Sequence, residues 1–108
     1  MPFTATWQAM QTNLDRGSLI PNWTAAKGRF GDSFTISDVN SECVVVNPPG
    51  ARNLQLVPRS DFEAAYDRWR PYCSGSIGRS ELAKLTRTSK YVISILRWLE
   101  LQQGGQLP

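Results

Sequence analysis

The chain has 108 residues, 41% of them hydrophobic and 19% charged, with a formal net charge of +3. That is the length of one domain with enough apolar material for a core, and no apolar run is long enough to span a membrane. Histidine is absent, which removes Ser–His and Cys–His nucleophile pairs and nearly every zinc arrangement.

The start, Met1-Pro2-Phe3-Thr4, lacks the basic segment and apolar stretch of a secretory signal, so a cytoplasmic protein is expected. Two cysteines, Cys43 and Cys73, are fewer than a disulfide-stapled secreted domain carries. Two reduced thiols are the expectation, with a single bridge as the other arrangement the sequence allows. Asn22-Trp23-Thr24 matches a glycosylation sequon, read as chance in such a protein.

Trp7, Met10 and Leu14 recur at helical spacing over residues 4–16, and Gly17 follows as a left-handed stop. Residues 17–32 read as a loop punctuated by Pro21 and three glycines, pinned to the core by Ile20 and Trp23. Ser33-Phe34-Thr35-Ile36-Ser37 alternates with period two, Glu42-Cys43-Val44-Val45-Val46 is a β-branched run, and Leu54-Gln55-Leu56-Val57 is a third strand. Asp38 to Ser41 and Asn47-Pro48-Pro49-Gly50 supply the turns. The alternation predicts Phe34, Ile36, Leu54 and Leu56 buried and Gln55 exposed.

Ser60-Asp61-Phe62-Glu63 fits a capping box that opens a helix with Phe62, Ala65, Tyr66 and Trp69 on one face, ended by Pro71. Cys73-Ser74-Gly75-Ser76 is a flexible joint. Two further helices are predicted over 79–86 and 89–102, the last with Val92, Ile95, Leu96 and Leu99 along one stripe. The fold class is therefore α+β: an N-terminal helix, a three-stranded antiparallel meander, and three C-terminal helices packed on one face. Residues 1–103 form the single domain, and 104–108 are a frayed tail.

Charge is segregated along the chain. Residues 1–78 carry seven basic and seven acidic side chains, so the entire excess lies in the last third. A local positive excess on a neutral body points to an anionic partner, nucleic acid first. Arg87, Lys90, Ser94 and Arg97 fall on one line of the last helix and its entry turn, with Lys84 on the helix before. Facing outward, these five would touch phosphates, and an arginine among them could read guanine.

Leu82-Ala83-x-x-Thr86, the turn Thr86-Arg87-Thr88-Ser89 and the aliphatics that follow resemble a helix-turn-helix DNA-binding segment over residues 80–100. The resemblance implies that Ser89 caps the second helix, that Ala83 lets the two helices cross closely, and that the free face of the second helix enters a major groove. It departs from the family at Arg87, where glycine is favoured and a left-handed residue would cost about 1 kcal/mol. Phe62-x-x-x-Tyr66-x-x-Trp69-x-x-Tyr72-x-x-Gly75, with Arg79 and Ser89-Lys90-Tyr91-Val92-Ile93, is faintly similar to accessory domains of restriction-type DNA enzymes.

Neither a GxGxxG loop nor a P-loop lysine is present, and no carboxylate pair or carboxylate–lysine cluster stands out. No catalytic, cofactor or metal site is expected. The expected partner is duplex DNA, and three phosphate contacts alone bind weakly, so a homodimer would help. The alternative is a protein-binding or inhibitor module, such as a small phage or defence-system protein that blocks a nucleic-acid enzyme. In that case the four tryptophans and Tyr72 would be anchors rather than core.

Overall fold

Phe3, Trp7 and Met10 recur at i, i+4 and i+7, and with Thr6 they form the buried stripe of α1 (Phe3–Asn13) in the computed structural model, which describes residues 3–29 and 31–107. Gly17 lies beyond the helix end rather than capping it. Its φ of +87° suits glycine, and its amide donates to the Ile36 carbonyl at 2.7 Å. That bond brings the next residues alongside the sheet.

The segment expected to be a loop contains three two-residue strands: β1 (Leu19–Ile20), β2 (Trp23–Thr24) and β3 (Gly28–Arg29). The expected anchors hold, with Ile20 fully buried and Trp23 half-buried against the core. Asn22 of the sequon is buried, its amide donating to the Asp32 carbonyl.

The three longer strands are β4 (Phe34–Val39), β5 (Cys43–Asn47) and β6 (Gln55–Pro58), paired consecutively and antiparallel. The sheet has four strands rather than three, because β1 pairs along the outer side of β4 to give the order β1-β4-β5-β6. β2 and β3 form a separate two-stranded ribbon. Opposed pairs set the inner face: Ile20 with Phe34, Ile36 with Val46, and Val44 with Val57, all buried. A register shift between Ile36 and Asp38 places Val39 opposite Val44 and against the core.

Phe34 and Ile36 face inward as expected, but β6 is turned the other way. Val57 is buried, whereas Leu54 and Leu56 are 49% and 63% exposed. Pairing of Val57 with Val44 puts Leu56 beside Val45 on the outer face. Gln55 shares the Val57 face by alternation and is nonetheless exposed.

Four helices follow the sheet, where three were expected: α2 (Arg59–Tyr66), α3 (Trp69–Ser74), α4 (Arg79–Leu85) and α5 (Ser89–Gln102). The predicted helix over 60–71 breaks at Asp67-Arg68, and Pro71 lies inside α3 instead of ending the helix. At its third position, proline's missing N–H has no acceptor within the helix to lose. The Ser60 capping box does not form, because α2 begins at Arg59 after Pro58 and no side chain caps it. α3 ends on Gly75 at φ +86°, a left-handed position that suits glycine.

α5 is the hub. Val92, Ile93, Ser94, Ile95 and Leu96 are five consecutive buried residues, which requires neighbours on every side of the helix. α1, α2, α4, β1 and β2 supply them. Both cysteines are free thiols, Cys43 half-buried on β5 and Cys73 exposed on α3.

Candidate functional site

The five residues singled out in sequence divide into two groups. Arg87 and Lys90 are exposed and enter no ion pair among the described residues, and the Lys90 ammonium lies 5.9 Å from the centre of the Tyr91 ring. Lys84 is exposed and meets Glu81 one turn earlier at 3.9 Å. An exposed pair of this kind contributes at most about 0.5 kcal/mol and leaves the lysine available to a partner.

Ser94 and Arg97 do not lie on an open face. Ser94 is 2% exposed; its hydroxyl accepts from the Trp23 amide at 3.1 Å and donates to the Lys90 carbonyl at 3.2 Å. Strand β2 thus covers the side of α5 that the helical spacing had left free. Arg97 meets Glu100 at 2.8 Å, and its guanidinium sits 4.9 Å from the centre of a Trp23 ring. The other Glu100 oxygen accepts from the Trp69 indole at 3.0 Å. With side chains 34% and 13% exposed, Arg97 and Glu100 belong to the packing between α5, β2 and α3.

The connection between α4 and α5 also differs from the helix-turn-helix expectation. No non-glycine residue among those described has positive φ, so Arg87 carries no left-handed strain. Ser89 is the first residue of α5 rather than its cap, and it is buried. Thr88 precedes it, and its hydroxyl donates to Asp61 of α2 at 2.7 Å, fixing the turn to the body.

What remains is a basic surface. Residues 79–90 contain Arg79, Lys84, Arg87 and Lys90 against Glu81 alone, and the rest of the chain has equal numbers of basic and acidic side chains. All four cations are exposed. α4 buries only Leu82, so the helix lies on the outside with its charged side chains in water.

A second feature adjoins this surface. A cleft of about 580 Å³ opens between the β2–β3 turn and the α3–α4 connection, and Lys27, Tyr72, Cys73 and Arg79 line it. The Tyr72 hydroxyl accepts from the Ala25 amide at 3.0 Å, which holds the turn against α3. Burial pushes the phenol above its ordinary pKa, against the lowering effects of the Ala25 amide and the Arg79 charge. Partial desolvation at the cleft wall pushes the otherwise exposed Cys73 thiol up to about 11, with Glu100 adding to the rise and Arg97 opposing it. Sequence reading missed the cleft. Its only trace there is a pair of small-residue stretches, Ala25-Ala26 and Ser74-Gly75, that nothing local connects.

No cluster of three metal-ligating side chains occurs among the described residues, and no helix among them is long and apolar enough to cross a membrane. Comparisons with protein-family models, curated proteins and solved structures gave no match.

Proposed function

We propose that this protein is a nucleic-acid-binding module whose contact surface is α4, the α4–α5 turn and the first turn of α5, through Arg79, Lys84, Arg87 and Lys90. The observation that carries the reading is the concentration of the chain's entire positive excess on one exposed twelve-residue segment. Cations presented this way neutralise phosphates and release counterions, which is the sequence-independent part of nucleic-acid affinity. The likeness to a helix-turn-helix then describes how α4 and α5 are connected. α5 is too enclosed to lie in a major groove, so duplex DNA is met from the α4 side and read mainly through its backbone. Four contacts give modest affinity, and a homodimer would double them. This reading places the protein in the cytoplasm, with both thiols reduced.

The test is a titration of the wild-type protein against duplex and single-stranded DNA over a range of salt concentrations. Binding at low salt should weaken steadily as salt rises. Arg87→Gln and Lys90→Gln should each flatten the slope of log affinity against log salt by about 0.9. Wild-type protein that binds neither form at low salt would refute the reading.

A protein-binding module is the second reading, favoured by Leu54 and Leu56 standing exposed at the free edge of the sheet. The aromatic anchors expected for it are not free. Trp7, Trp69 and Tyr72 are buried, and Trp23 and Trp98 are half-buried against the core. The leucines would have to serve, and the salt titration would be flat.

A further inference from the structure

β6 is the last strand of the sheet and has β5 on one side only. We infer that its free edge pairs with the β6 edge of a second copy of this chain, antiparallel about a two-fold axis at Leu56, so that two four-stranded sheets become one.

The backbone leaves that edge open in a definite pattern. The Arg59 amide donates to the Glu42 carbonyl beside β5 at 2.9 Å, and the register pairs Val57 with Val44 and Gln55 with Val46. Backbone direction alternates along an antiparallel strand. Gln55, Val57 and Arg59 therefore bond towards β5, while Leu54, Leu56 and Pro58 turn their backbone groups to the free side. Proline has no N–H to leave unpaired there. Leu54, Gln55, Leu56 and Pro58 are all exposed, so none of the described residues covers the edge.

What selects a second copy is that the edge is its own complement. With Leu56 on the axis, its N–H and C=O meet those of the partner's Leu56. The Leu54 N–H meets the carbonyl of the partner's Pro58, which makes about four bonds in all. Residues 53–58 carry no charge, although charged side chains are a common device for keeping an edge strand single. The flanking Arg52 and Arg59 fall opposite the partner's Ser60 and the partner's Asn53, so no like charges meet.

The side chains point the same way. Leu56, 63% exposed, lies beside Val45 on the outer face, and Leu54, 49% exposed, precedes it by two residues. Pairing about Leu56 brings both leucines of each copy into one apolar strip. The opposite edge, β1, is two residues long and runs straight into Pro21, too short for a comparable match. An edge of β6's length covers less than the roughly 800 Å² per partner of a standard interface, so the dimer is concentration-dependent, with a Kd of about 10–100 μM. Two α4 surfaces then belong to one particle; that consequence, though not the pairing, rests on the nucleic-acid reading.

The test is sedimentation velocity of the full chain over a wide range of concentrations, without nucleic acid and in about 0.5 M salt to screen surface charge. The mass should rise from that of one 12.1 kDa chain towards twice that value. Leu56→Lys sets two ammonium groups against each other across the axis and should weaken association at least about tenfold, and Leu56→Glu should do the same. Both change an exposed side chain and should melt like the wild type at dilution. An equimolar mixture of the two should associate again, because lysine then faces glutamate. Leu85→Lys, at an exposed leucine on α4, should leave the dimer unchanged.

A wild type that is monomeric at every concentration overturns the proposal. If that monomer binds a labelled peptide copied from residues 52–59, the edge belongs to an extended strand of another protein. A dimer that Leu56→Lys leaves intact, or charged variants that do not recombine when mixed, overturns the pairing through β6. A dimer with no affinity for DNA at low salt upholds the pairing and refutes the nucleic-acid reading, and a monomer that binds DNA does the reverse.

Discussion

α4 and α5 are joined by a three-residue turn and carry two cations each, yet solvent treats them oppositely. α4 rests on the body through Leu82, with Thr86 just past its end, and every other residue it contains is exposed. α5 has neighbours on all sides from Val92 to Leu96. Along Arg87, Lys90, Ser94 and Arg97, the first two side chains reach water, and the last two hold β2 and α3 in place. A stripe of polar residues at helical spacing states only that the helix has a less apolar side. Whether that side meets solvent depends on what the rest of the chain lays across it, and here a two-residue strand from the first quarter of the sequence does so.

The contrast can be broken most severely at the hub. Leu96→Ala should destabilise the protein by about 2–5 kcal/mol in urea denaturation, because a fully enclosed site cannot collapse around the cavity. A loss below about 1 kcal/mol would mean that α5 is not enclosed. The inward charges of α5 can be read next at Cys73. With Cys43→Ser as background, alkylation of Cys73 at pH 8 should run about a hundredfold slower than that of a free thiol, and Glu100→Gln should recover part of the rate. The linkage has a definite sign. The unfolded thiol ionises from about 9.0 and the folded one near 11, so this group's contribution is complete below pH 9 and is lost as pH rises towards 11. Folded stability should therefore fall across that window, and fall less in Cys73→Ser.

Smaller effects sharpen the same comparison. Ser94→Ala removes the acceptor of the Trp23 amide and should cost about 1–2 kcal/mol in thermal unfolding. An outward Ser94, as its spacing first implied, would make the change neutral. Arg87→Gln, seven residues earlier and in water, should leave stability within about 0.5 kcal/mol. A larger loss would show that the turn contributes to folding as well as presenting charge.

The parts of the fold that were readable are those fixed by short-range periodicity. The boundaries of α5, the end of α4 to within one residue, and the inward faces of Phe34 and Ile36 all follow from spacing alone. β6 was misread because Leu54, Leu56 and Val57 are all apolar, so the pattern allows either face inward. The choice is made by pairing with Val44, a partner thirteen positions away. α3 was hidden by reading Pro71 as a terminator when it sits in a first turn. At the candidate site, the exposed cations Lys84, Arg87 and Lys90 were legible as charge. The burial of Ser94, the inward turn of Arg97 and the existence of the cleft were not, since each depends on the β2–β3 ribbon meeting α3 or α5 across some fifty to seventy residues of chain.

The position of the hub after the strands has a consequence for synthesis. The strand residues Ile20, Phe34, Ile36, Val44 and Val46 are translated well before the helix that completes their cover. About seventy residues separate Ile20 from Ser89, roughly 4–14 s at a ribosomal rate of about 5–20 residues per second. Throughout that interval the nascent chain holds an apolar sheet face with no α5 to close it. Chaperones that recognise extended hydrophobic segments have their opportunity then, and a pause in translation before Ser89 would lengthen it.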